Sequence, residues 1–104
     1  MVPNLCNDMH DCSVSTGNAW AQSHLDAYAQ WAKTHNSLLI TTFDEDNNTS
    51  VNQIYTSLVG AHVTVGDYSQ SIDHYNVLRT IEDAYGLAPL GNAASKSAIT
   101  GIWN

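Results

Sequence analysis

SLLITTFDED, residues Ser37–Asp46, is the stretch on which the reading of the whole chain turns. Its first seven residues form an apolar and β-branched run without glycine or proline. Such a run predicts a strand buried on both faces, as in a parallel sheet under helices. Three adjacent carboxylates, Asp44, Glu45 and Asp46, then follow directly. Like charges repel, so a triplet of this kind is either a solvated turn or a site that expects a cation.

Working outward, the segment before it predicts a helix over Asn18 to His35. Thr16 or Asn18 is placed to cap it. Ala21, Leu25, Tyr28 and Ala32 recur on one helical face, flanked by Trp20 and Trp31. Lys33 and His35 fall in the last turn, where the dipole favours them. Beyond the acidic triplet, NQIYTSLVG predicts a second strand and AHVTV a short extended piece. Gly66-Asp67 marks a turn. DHYNVLRTIEDAYG then predicts a second helix, with Val77, Leu78, Ile81, Ala84 and Tyr85 as its apolar stripe. Asp73 or Ser71 can start it, and Gly86 is placed to end it. The tail from Leu87, ending in ITGIW, predicts a short strand or coil. Helix, strand, loop, strand and helix point to an α/β class. In open α/β sheets ligands collect at the carboxyl ends of strands, where the acidic triplet lies.

Composition narrows the functional classes. The 104 residues allow one domain at most, and 43% apolar content is enough to build a core. The formal net charge is −7, and the three basic residues are Lys33, Arg79 and Lys96. Binding of nucleic acid by phosphate neutralisation is therefore excluded as a main activity. An anionic substrate needs positive charge from elsewhere, and a divalent metal ion is the natural source. Cys6 and Cys12 are too far apart for a redox pair and have no second pair for a zinc ribbon. They predict a short-loop disulfide and an oxidising compartment, against an alternative of free thiols. No stretch approaches the length of a membrane span. Residues 1–8 lack the features of a signal peptide, although the polar, weakly charged body has the character of a secreted protein. That mismatch leads to the expectation that the domain begins upstream.

Two further clusters carry possible chemistry. NDMHD places Asn7, Asp8, His10 and Asp11 together, with Asp8 and His10 on one side of an extended segment. His74 stands at a predicted helix N-terminus, where a neutral imidazole suited to metal binding is favoured. Alone, each cluster fits a solvated loop or a surface histidine. Together they make a mixed carboxylate and imidazole set suited to a divalent metal. His24, His35 and His62 fit structural roles better.

PNLCNDMHDCSVSTG, LLITTFDED and DHYNVLRTIEDAYGL, in this order, resemble the bacterial phosphoesterase family. That family includes secreted acid phosphatases, among them enzymes of phosphatidylinositol 3-phosphate, and phospholipases C. It belongs to the alkaline-phosphatase superfamily. The resemblance implies the C-terminal part of an alkaline-phosphatase-like α/β/α sandwich, with residues 1–104 forming the C-terminal portion of a single phosphoesterase domain. It implies metal binding by Asp44, Glu45 and Asp8, and catalytic roles for His10 and His74. Asp46 is implied as an accessory residue. The family's Ser or Thr nucleophile has no counterpart here, since neither Ser13 nor Ser57 occupies its motif. Tyr55 and the short NNTSVN loop depart from the usual pattern.

The expected function is thus a fragment of a secreted, metal-dependent acid phosphatase. Its expected partners are phosphorylated small molecules or phospholipid headgroups, and the N-terminal half. The alternatives are a small secreted binding domain without catalysis and a phosphodiesterase of the phospholipase C type.

Overall fold

Ser13 opens the first helix. In the computed structural model, which describes residues 1–104, α1 runs over Val14–Ala32. The Ser13 hydroxyl accepts the backbone N–H of Thr16 at 3.3 Å and satisfies one of the orphan donors of the first turn. The helix therefore begins four residues before the sequence expectation, which overlooked Ser13 as a cap. Ala21 and Leu25 are half-buried and Ala32 is fully buried, as the periodicity predicts, whereas Tyr28 is exposed. At the far end the Nδ1–H of His35 donates to the carbonyl of Trp31 at 2.8 Å, with the two rings stacked 4.2 Å apart. His24 repeats the device on Trp20, at 2.9 Å and 4.5 Å. Both histidines are thus tied to α1 itself.

β1, Leu39–Thr42, follows and packs beside α1. β2, Thr56–Val59, pairs with it antiparallel, Leu39 opposite Val59 and Thr42 opposite Thr56. This corrects the expected neighbourhood of the strand. Within this chain β1 has one antiparallel partner, and Leu39, Ile40 and Thr41 are half-buried rather than buried on both faces. Cross-strand ties include the Thr42 and Thr56 hydroxyls at 3.0 Å. Helices with a small antiparallel sheet place the chain in the α/β class.

The chain divides into two compact units, Met1–His62 and Val63–Asn104. The first contains α1, β1, β2 and the Cys6–Cys12 disulfide. The second is built on α2, His74–Ala84, and the 3-10 turn α3, Gly91–Ser95. Asp73 caps α2 in a reciprocal capping box with Asn76. Gly86, at φ 64°, ends it in the left-handed conformation that glycine adopts at little cost.

Burial in the second unit reverses the expected face of α2. Asn76, Thr80 and Glu82 are the buried residues of this helix, not the apolar stripe. Their polar groups stitch the C-terminal tail to α2. Asn76 Nδ2 donates to the Ser97 carbonyl at 2.9 Å, and Thr80 Oγ1 accepts the Ile99 N–H at 2.8 Å. Glu82 Oε1 accepts the Leu90 N–H at 3.0 Å. Arg79 Nη1 reaches the Lys96 carbonyl at 3.1 Å, and Lys96 Nζ reaches Asp73 at 2.6 Å. Ala93, Ile99 and Ile102 fill the small apolar interior. Of the tail beyond Ser95, Trp103 bridges to Val63 and no other residue joins a helix or strand.

Candidate functional site

The loop before α1 is shaped by local hydrogen bonds and closed by the disulfide between Cys6 and Cys12, whose sulfurs are bonded at 2.08 Å. Asn4 Oδ1 accepts the N–H groups of Cys6 and Asn7, and the Asp11 N–H donates to the Leu5 carbonyl at 2.7 Å. Met9 takes the left-handed conformation, φ 75°, and its side chain lies on Gly17 of α1. A Cβ at position 17 would stand 2.4 Å from Met9 Cγ, so only glycine lets loop and helix approach this closely.

This loop presents His10. The His10 backbone N–H donates to Asp8 Oδ1 at 2.9 Å, while its ring Nδ1–H donates to Asp11 Oδ1 at 2.7 Å. The ring is therefore oriented by Asp11 rather than by Asp8. Sequence reasoning placed Asp11 in the cluster without giving it a role. The available signal was the density of carboxylates around one histidine, which cannot say which of them meets the ring. The Asp11 hydrogen bond and charge raise the imidazole pKa above its ordinary value of 6.5, and Asp8 and Asp44 add to the effect. Of the strand-end carboxylates, Asp44 alone adds to the electrostatics of the His10 ring, as the weakest of the contributions.

The three carboxylates after β1 differ in their engagement. Asp44 and Glu45 are exposed, and Asp46 is half-buried. Asp46 accepts the Thr49 N–H at 2.9 Å and the Thr49 hydroxyl, and its own N–H donates to Asn52 Oδ1 at 2.9 Å. The bonds from Thr49 lower its pKa below 3.8. Asp46 thus organises the loop that carries Asn48 and Asn52, both at positive φ. His74 is the first residue of α2 in the second unit and is exposed.

No three His, Cys, Asp or Glu side chains are gathered closely enough to hold a metal ion between them. The donor types suit a divalent metal, but the chain's own residues do not complete a centre.

One loop thus presents an imidazole backed by a carboxylate, and the end of β1 presents an acidic triplet. The chain belongs to the Phosphoesterase family, which it matches over residues 1–88. The phosphatidylinositol-3-phosphatase of Mycobacterium tuberculosis is 54% identical over 103 residues, covering 99% of this chain and 34% of that protein. The acid phosphatase of Aspergillus fumigatus is 30% identical over 97 residues, covering 88% of this chain and 22% of that protein. The chain therefore spans about a third of the length of the first relative, matching its C-terminal portion, and less of the second. No solved structure matches the chain.

Proposed function

We propose that this chain is the C-terminal part of a secreted, metal-dependent acid phosphatase that hydrolyses phosphate monoesters, phosphatidylinositol 3-phosphate among them. The observation that carries the reading is the 54% identity to a phosphatidylinositol-3-phosphatase along nearly the whole chain. In this reading Asp44, Glu45 and Asp8 contribute carboxylates to a divalent metal centre that needs donors from outside this chain. The metal would supply the positive charge that a protein of net charge −7 lacks. His10, held by Asp11, and His74 serve the transferring phosphoryl group or the metal. The nucleophile comes from outside the chain. Ser13, for one, already serves as the helix cap. The disulfide supports an oxidising, extracellular setting.

The test joins residues 1–104 to the preceding two-thirds of the Mycobacterium relative and assays p-nitrophenyl phosphate and phosphatidylinositol 3-phosphate with several divalent metals. Metal-dependent turnover is expected, with a loss on the order of 100-fold or more for Asp44→Ala. The chain alone should give background rates. Robust turnover by the chain alone would refute the external nucleophile. Preference for a phosphodiester would favour the phospholipase C type instead. Absence of turnover with every metal, together with no metal-dependent change in stability on Asp44→Ala, would favour a binding domain without catalysis.

A further inference from the structure

Apart from Val77, which is half-buried, the apolar residues of α2 and its C-cap face outward. Tyr75, Leu78, Ile81 and Tyr85 follow one another at spacings of three or four residues and so lie on one helical face. Leu78 is 40% exposed, Ile81 39% and Tyr85 78%. Leu87 and Leu90, just beyond the helix, are also exposed and extend the apolar character. Exposed apolar residues scattered singly need no explanation, whereas a contiguous patch marks an interaction surface.

The stripe is not outward by default. The polar side of α2 is occupied by the tail through Asn76, Arg79, Thr80 and Glu82, each bonded to backbone groups between Leu90 and Ile99. The helix cannot turn its apolar face inward without breaking those bonds and leaving buried polar groups unpaired, which is costly. What the stripe requires is therefore a further layer of protein.

We propose that the Tyr75–Leu78–Ile81–Tyr85 face of α2, with Leu87 and Leu90, is the docking surface for the remaining phosphoesterase segment, on the same polypeptide or on another. The occupant follows from the comparison of lengths. A sequence 54% identical, matched along 99% of this chain, stands in the Mycobacterium relative beside roughly twice its own length of additional protein. That additional segment is the one partner which the family relationship places next to this chain. The inference rests on family membership and not on the proposed catalytic roles.

The chain has no free cysteine, so Ile81→Cys introduces a single reactive thiol. The Ile81→Cys chain is produced alone and co-expressed with the preceding two-thirds of the Mycobacterium relative. Maleimide labelling is then compared, with Lys33→Cys as a control on α1. Expected are co-purification in a one-to-one complex and labelling of position 81 slowed at least tenfold, while the chain alone is a monomer that labels rapidly. A Leu78→Asp, Tyr85→Asp variant that keeps its helical circular dichroism should lose the partner. The proposal is overturned by absence of a complex, by unchanged labelling within it, or by a complex that survives the double variant. It is equally overturned by protection in the chain alone, whether through a second copy or within the monomer. Labelling does not depend on turnover, so a protected but inactive complex preserves the docking surface while defeating the catalytic reading.

Discussion

At the scale of single residues, His10 is the group whose chemistry the loop has altered most visibly. Its ring is exposed, yet the Asp11 hydrogen bond and the surrounding carboxylates favour the charged form. A pKa raised above the unfolded value contributes stability that is fully present below pH 6.5 and is lost as pH rises through the folded value. Proton NMR of the His10 ring should show titration above 6.5, with Asp11→Asn returning it toward 6.5 and Asp8→Asn moving it less. Equal effects of the two substitutions would refute Asp11 as the ring's partner. Asp46 runs in the opposite direction. Its pKa is lowered by Thr49, so its contribution is present above pH 3.8 and is lost as pH falls through the folded value. Thr49→Val should therefore raise the Asp46 pKa and loosen the loop without touching Asp44 or Glu45.

At the scale of elements, α2 shows what kind of information a sequence holds. Of the two caps offered, Asp73 and not Ser71 starts it, and Gly86 ends it as expected, because capping depends on residues within one turn of the end. The Cys6–Cys12 pair and the existence of both strands were legible for the same local reason. The inward face of α2 was not. Periodicity identifies which residues are apolar, but not what stands opposite them, and here the tail meets the polar side. SLLITTF was misread likewise, since burial on both faces requires neighbours that this chain does not supply. Of the candidate site, the carboxylates around His10 were legible, and the His10–Asp11 bond was not, because the order of residues does not say which carboxylate meets the ring. The buried polar seam is open to a direct test. Thr80→Val keeps the shape but leaves the Ile99 N–H without its acceptor, and should cost about 1–3 kcal/mol. Gly86→Ala places a Cβ in the left-handed region and should cost about 1 kcal/mol. Urea unfolding monitored by circular dichroism measures both. A Thr80→Val chain as stable as the parent would mean that the seam does not hold the tail.

At the scale of the whole molecule, the burial pattern sets the stability expected of the chain by itself. Its buried apolar residues are Ala32, Ala93, Ile99 and Ile102, and no large side chain is fully buried. Chains of this size are marginal even with a well-filled core. Local devices must therefore carry an unusual share, and in the first unit the disulfide is one of them. Closing the short loop between Cys6 and Cys12 contributes about 2 kcal/mol by restricting the unfolded chain. It also holds the loop whose Met9 packs on Gly17. Reduction should then lower the urea midpoint of the first unit sharply, as followed by the fluorescence of Trp20 and Trp31. Trp103, whose indole N–H donates to the Ile99 carbonyl at 2.7 Å, reports on the second unit and should respond mainly to Thr80→Val. Single-tryptophan variants separate the two signals. The oxidised chain should also bind a hydrophobic dye, and lose that binding once the α2 face is covered by its phosphoesterase partner. A self-sufficient binding domain would behave differently, with a steep, cooperative transition, little dye binding and a midpoint insensitive to reductant. That outcome would overturn the view that this chain is one part of a larger phosphoesterase fold.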